Sequence, residues 1–311
     1  MLRVMEKQDI FLIFDGNAII HRAFYAVPLL THNGQLVNAV YGFANVLLSN
    51  LQQIQPRWAA TAFDLPGKTF RHHEFKEYKA KRVKAPQAMY DQIPIIKNMV
   101  RILGVPILEK EGYEADDVIA TIVAKVKSQK LKVKSKVIIF TGDKDTFQLV
   151  DDGVSVMTPS KGLSRPIEYT PDKVVEKMGV RPGQVVDFKA LAGDGSDNIP
   201  GVPGIGDKTA QDLLKKFNTL KGIYEAVKGG NPQIPAAVAE KLRENKGAAE
   251  MARRLVELRA DIDCHFQLSD CLVDDYNQPA AEKFFRELGF KSLLNKLPRA
   301  RILSNNQEKL F

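Results

Sequence analysis

Short apolar runs alternate with helical stretches through the first half of the chain. Ile10-Phe-Leu-Ile-Phe14 is continuously apolar, the pattern of a strand buried on both faces of a largely parallel sheet. Trp58-Ala-Ala-Thr-Ala-Phe63 and Val137-Ile-Ile-Phe140 read the same way. Between them, Asn38 to Gln55 and Pro86 to Leu103 show helical periodicity, and Val118 to Val123 continues a helix whose first turn is Glu114 to Asp117. Val154 to Thr158 and Ser164 to Tyr169, around Gly162, read as a hairpin whose second strand Pro166 assigns to a sheet edge. Beyond Pro171 the pattern is helical. Strands alternating with helices predict an α/β fold with a mostly parallel sheet.

Each of the three core strands delivers an aspartate at its carboxyl end, Asp15, Asp64 and Asp143, on the edge where open α/β sheets bind ligands. Asp145 follows Asp143, and Gly112-Tyr-Glu-Ala-Asp-Asp117 adds Glu114, Asp116 and Asp117 at a helix start. Taken singly, these acids are turn residues and helix caps that complement the positive end of a helix dipole. Together they would repel one another unless protons or cations neutralised them. Oxygen-only sites of this kind suit magnesium or manganese. Two further acids, Asp194 and Asp197, lie in the turn-rich Gly193-Asp-Gly-Ser-Asp-Asn198.

Composition narrows the class. The chain has 311 residues and a formal net charge of +8, a modest excess that suits a polyanionic partner. No apolar run is long enough to cross a bilayer, and no signal peptide is recognisable, so no membrane role is expected. Cys264 and Cys271 lack metal-ligand spacing, which fits a reducing cytoplasm.

The cations are concentrated. Lys68, Arg71, Lys76, Lys79, Lys81, Arg82 and Lys84 interleave with Phe70, Phe75 and Tyr78. This is either a solvated helical face or a single-strand binder, with aromatics stacking on bases and cations on phosphates. Gly201-Val-Pro-Gly204-Ile-Gly206-Asp-Lys208-Thr209-Ala opens the helix Gln211 to Phe217. It is not a Walker loop, because the spacing is wrong and no strand feeds it. Glycines at a helix start can expose amides to phosphate; the plainer alternative is a glycine-rich turn between helices.

With these motifs in order, the chain resembles the structure-specific 5′ nucleases, the flap endonuclease family, and is closest to the 5′-3′ exonuclease domain that begins bacterial DNA polymerase I. The resemblance spans residues 8–297 and rests on Phe14-Asp15-Gly16, Ala39-Val-Tyr-Gly-Phe43, Phe63-Asp64, Phe70-Arg71-His72, Tyr78-Lys79-Ala-Lys-Arg82, Gly112 to Asp117, Asp143-Lys-Asp145, Gly193 to Gly201 and Gly204 to Ala210. It implies a PIN-like α/β core over residues 1–180: a mostly parallel, twisted central sheet flanked by helices, with a helical arch at about 68–92. A C-terminal all-helical DNA-binding subdomain would follow over 181–297, and a flexible tail over 298–311.

By the same resemblance, Asp15, Asp64, Glu114, Asp116 and Asp117 would hold one Mg2+ or Mn2+ ion, and Asp143, Asp145, Asp194 and Asp197 a second. Lys79 and Arg82 would face the scissile phosphate. Arg71 and Tyr78 would contact DNA. Gly201, Gly204, Gly206, Lys208 and Thr209 would form a helix–three-turn–helix grip on the duplex, with K+ at its hairpin. Two ions about 4 Å apart would activate water for in-line attack at phosphorus. The expected substrates are 5′ flaps, nicks and RNA-primer junctions, cut by a monomer to leave 5′-phosphates. Non-catalytic binding of branched DNA and an RNA-directed PIN-like nuclease are the rival readings. The complete acid set speaks against the first, and the basic arch and glycine hairpin against the second. The tail ends in Gln307-Glu-Lys-Leu310-Phe311, which resembles the sliding-clamp-binding motif but also suits a frayed end or a linker to a polymerase.

Overall fold

The computed structural model describes residues 8–128, 136–159, 166–273 and 276–298. The chain runs β1 (Gln8–Asp15), α1 (Gly16–Ala26), a small hairpin of β2 (Thr31–His32) and β3 (Gln35–Leu36), and α2 (Asn38–Ile54). Next come β4 (Pro56–Ala62), α3 (Phe70–Glu74), α4 (Gln87–Tyr90), α5 (Ile93–Ile102), β5 (Ile107–Leu108), α6 (Ala115–Ser128) and β6 (Lys136–Phe140). After β7 (Val154–Thr158) and β8 (Ile167–Tyr169) the described elements are helical. They are α7 (Pro171–Met178), α8 (Val185–Ala192), α9 (Asp207–Phe217), α10 (Leu220–Lys228), α11 (Ala236–Glu244), α12 (Lys246–Val256) and α13 (Gln278–Glu287), with short 3-10 turns between some of them.

The main sheet is six-stranded in the order β5-β4-β1-β6-β7-β8 and parallel except for the edge strand β8, which follows Pro166 as the sequence predicts. Alternate residues of its central strands serve two different cores. Phe11 and Ile13, with Val137 and Ile139, pack beneath α6 and the helices from α8 to α12. Ile10, Leu12 and Phe14, with Ile138 and Phe140, pack beneath α2, α5 and α13. A strand covered on both faces has no polar side to show, hence the continuous apolar runs.

Three sequence expectations are corrected. The helix from Pro86 to Leu103 is two helices, because Pro94 cannot donate a hydrogen bond and its ring would collide with the carbonyl of Tyr90 in an unbroken one. At the break, the fully buried Gln92 turns inward, and its Oε1 caps α2 by accepting from the N–H of Ala39 (2.8 Å) and Val40 (3.2 Å). The arch is helical only at α3 and α4; between them the chain makes turns through residues 76–81 and has no regular structure over 82–86. There Lys79 takes up a left-handed conformation (φ 55°), and Tyr78, Lys79 and Arg82 are drawn to the two carboxylates Glu114 and Asp197 rather than lined up on a helical face. Lastly, the expected subdomain does not hold together to residue 297, since α13 and the 3-10 turn Lys291–Lys296 pack on α2 and α5, across the sheet from α8 to α12.

No described helix is long and apolar enough to cross a membrane. Residues Gln307, Leu310 and Phe311, and the start of the Ser164 to Tyr169 segment, lie outside the described residues.

Candidate functional site

The parallel register brings the ends of β1, β4 and β6 level, with Asp15 opposite Ala62 and Phe14 opposite Phe140. Asp15 is 4% exposed and caps α1 by accepting from the Ala18 N–H (3.0 Å). Its other oxygen accepts from the Thr141 hydroxyl at 2.6 Å. Burial, against which these bonds act, and the nearby charges of Asp64 and Asp143 push its carboxyl up to about 6. Asp64, on the solvent-facing rim, caps α6 by accepting from the Ala115 N–H at 2.6 Å. Partial desolvation and the charge of Glu114 raise its pKa also.

Asp64 caps α6 at Ala115 from beyond the end of β4, and the acids of that helix's first turn divide. Asp116 points into the basin, where burial and then the charges of Asp143 and Asp15 raise its pKa well above the ordinary carboxylate range. Its buried Oδ1 has no hydrogen-bond partner. Asp117 is fully buried and saturated: Oδ1 accepts from Arg71 Nη2 (2.8 Å) and the Arg259 N–H (2.9 Å), and Oδ2 from Arg71 Nη1 (2.6 Å) and the Glu114 N–H (3.1 Å). The last bond is one half of a capping box. With both oxygens doubly occupied, Asp117 as it stands offers no free lone pair to the basin and ties Arg71, Arg259 and the start of α6 together.

Two of the expected DNA contacts, Arg71 and Tyr78, are buried in this structure. Arg71 is 2% exposed, with its Nε donating to the Leu255 carbonyl at 2.7 Å. Tyr78 is 3% exposed, and its hydroxyl bridges Glu114 (2.9 Å) and Asp197 (3.0 Å). Burial and those two carboxylates raise its pKa far above the phenol range, so it acts only as a donor. Neither residue presents a surface to a base or phosphate.

Lys79 and Arg82 do reach the basin. Lys79 Nζ pairs with Glu114 at 2.7 Å and lies 3.7 Å from Asp197, while the half-exposed Arg82 donates to Asp197 at 2.8 Å. Opposing burial, Glu114 and Asp197 hold Lys79 firmly charged. On the far side, Asp143 Oδ1 accepts from the Asp145 N–H (2.9 Å), and its pKa is raised chiefly by burial. Lys189 was missed by sequence reasoning. Its ammonium bonds Asp145 and Asp194, the latter at 2.5 Å. Burial opposes ionisation of Asp194, but Lys189 and Ser196 hold it below the ordinary range. The available signal was a lone cation in the otherwise apolar end of α8, five residues before Asp194.

The donor set fits a hard divalent cation. It is all oxygen, burial and mutual repulsion raise the pKa of Asp15, Asp64, Asp116 and Asp143, and one buried carboxylate oxygen stands unpartnered. Among the described residues no three such ligands converge tightly enough to enclose an ion as they stand; Lys79, Arg82 and Lys189 balance the charge instead.

The hairpin lies beyond Asp197. A Cβ on Gly201 would lie 2.3 Å from the Gly193 nitrogen, so that glycine is a packing requirement. Gly204 has φ 76° and its carbonyl accepts from Lys241 Nζ at 3.3 Å. Gly206 caps α9 in open space, beside the exposed Lys208 and the half-buried Thr209.

Comparison with known proteins agrees with this arrangement. Residues 10–179 match the family model of the 5′-3′ exonuclease N-terminal resolvase-like domain, and residues 180–279 that of the 5′-3′ exonuclease C-terminal SAM fold. A DNA polymerase I of Caldicellulosiruptor bescii is 41% identical over 92% of the chain, which spans only 33% of that relative's length. A 5′-3′ exonuclease of Aquifex aeolicus is 36% identical over 92% of this chain and 94% of its own. The fold superposes on a bacteriophage T5 flap endonuclease, solved in complex with DNA and metal ions, with a TM-score of 0.62 at 20% identity, covering 92% of this chain and 96% of that one. The chain belongs to the 5′-3′ exonuclease family.

Proposed function

We propose that the basin is a two-metal centre, and that the chain uses it as a 5′-3′ exonuclease and flap endonuclease on DNA and RNA-primer ends, leaving 5′-phosphates. The observation that carries this reading is the unpartnered, buried Asp116 Oδ1 in a nest of carboxylates at the sheet's carboxyl edge. Asp15, Asp64, Glu114 and Asp116 would hold one Mg2+ or Mn2+ ion, and Asp143, Asp145, Asp194 and Asp197 the other. Such ions supply an activated water and charge stabilisation for the leaving oxygen.

The chain's own residues do the rest. Lys79 and Arg82, on the arch side of the basin, neutralise charge that builds on the phosphate during displacement. Tyr78 steadies Glu114 and Asp197 through its single hydroxyl. Lys189 keeps Asp145 and Asp194 oriented until they are needed. The exposed amides opening α9, with Lys208, contact the duplex backbone, which makes recognition a matter of shape rather than base sequence.

A labelled 5′-flap duplex with Mg2+ tests the reading. The parent cuts it, and chelation stops the cutting. Asp116→Ala and Asp143→Ala each lose about a hundredfold or more, the scale of removing one transition-state-stabilising group. A parent that does not cut, or two variants that cut at the parental rate, would overturn it.

A further inference from the structure

Thr141 sits between the two sets of acids without being one of them. It is fully buried at the carboxyl end of β6, and its N–H continues the ladder to the Met157 carbonyl at 3.1 Å. Its hydroxyl makes two bonds of different kinds. Asp143 N–H lies 3.0 Å from Oγ1 and can only donate, so Oγ1 accepts there. The hydroxyl's single proton then goes to Asp15 Oδ2 at 2.6 Å, the short distance of a hydroxyl bonded to a carboxylate. The Ala18 N–H already holds Asp15 Oδ1, so Thr141 completes a two-point grip that fixes the plane of that carboxyl. On its other side the same oxygen fixes the backbone of Asp143. Gly142 between them is exposed and has no neighbours around the position a Cβ would take, so no side chain steadies the turn from outside.

We propose that Thr141 is a positioning residue, a hydroxyl that sets the Asp15 carboxylate and the Asp143 backbone in register so that both sets of acids bind their ions together. The proposal rests on the two-metal reading of this basin. A threonine that merely fills the strand end would need its shape alone, whereas the positioning role needs the hydroxyl and can do without the methyl.

Two substitutions separate these possibilities. Thr141→Val keeps the shape and loses both bonds; Thr141→Ser keeps the bonds and loses the methyl. Ca2+ binding to metal-free protein, followed by calorimetry, is the primary readout because it requires no turnover. The valine variant is expected to bind Ca2+ at least tenfold more weakly and to need at least tenfold more Mg2+ for half-maximal flap cleavage, with KM for the flap unchanged. Serine should restore the Ca2+ affinity to within threefold of the parent. If valine binds like the parent, or serine is as weak as valine, the proposal is wrong. Should the valine variant fail to fold, Thr141→Ala against Thr141→Ser gives the same contrast, since both lack the methyl and only one keeps the hydroxyl. A parent that binds no Ca2+ and cuts no flap would instead refute the nuclease reading beneath it.

Discussion

Asp116 and Asp117 are adjacent on one helical turn, yet a step of about 100° around the helix sends one to the basin and the other to Arg71. The pair Arg71–Asp117 joins residues 46 apart in sequence and leaves both almost wholly dry. Removing one partner would strand the other's charge, which costs about 3–5 kcal/mol in a buried pair. Asp117→Asn should therefore lower unfolding stability by about that amount in chelator. Asp116→Asn should behave oppositely. It removes a carboxyl that crowds Asp15 and Asp143, and should leave stability unchanged or raised by about 1 kcal/mol, as substitutions at strained functional sites often do. Urea unfolding of both variants checks this contrast; equal destabilisation would return Asp117 and Asp116 to a shared role. The sequence could not make this distinction. Glu114-Ala-Asp-Asp117 holds three acids, of which Asp116 and Asp117 carry the same expected role, and the arginine that tells those two apart arrives from a distant segment. Lys189 was hidden for the same reason, since its partners Asp145 and Asp194 meet it only after folding.

Elements were far more legible than their ends. The apolar runs located β1, β4 and β6 because a strand covered on both faces has one simple signature, and the aspartates at their ends followed directly. The helix pair α4 and α5 was less readable because its periodicity persists through Pro94, and the arch was less so again. One of the two readings of the basic run Lys68 to Lys84 is a solvated helical face, but the basin competes for it. Lys79 N–H donates to the Asp197 carbonyl (2.9 Å), Asn198 Nδ2 to the Glu77 carbonyl (2.8 Å), and three side chains reach Glu114 or Asp197. These contacts dock the segment onto acids proposed to bind ions. Divalent cations would displace Lys79 and Arg82 from those carboxylates and loosen it. Ca2+ should thus speed tryptic cleavage within residues 76–84 severalfold relative to chelator, read by mass spectrometry, while Asp197→Asn cuts quickly in both. Equal rates with and without Ca2+ in the parent would show that the segment is held by something other than these acids.

At the scale of the whole molecule, an acidic basin is set in a chain of net charge +8, and the segment 255–259 ties the two regions together. Leu255 and Arg259 bond the Arg71–Asp117 pair, while Gln148 donates to the Val256 carbonyl (3.1 Å) and accepts from the Leu258 N–H (3.0 Å). The same Gln148 donates to the Asp145 carbonyl at 3.0 Å. The helices that carry the hairpin are thereby registered to the acids, and a duplex held at α9 would stand at a set distance from the basin. Lys208, exposed at the start of that helix, would under the proposed function act as a phosphate contact and nothing more. Each such contact releases bound counterions, so its loss changes the salt dependence of binding in a countable way. Lys208→Ala should weaken flap binding by a similar factor for every sequence tested and reduce the slope of log K against log salt by about 1, leaving the position of the cut unchanged. Fluorescence anisotropy at several salt concentrations measures the slope, and sequencing gels report the cut. An unaltered slope would remove Lys208 from the duplex contacts, and a displaced cut would mean that the hairpin also sets where the strand meets the basin.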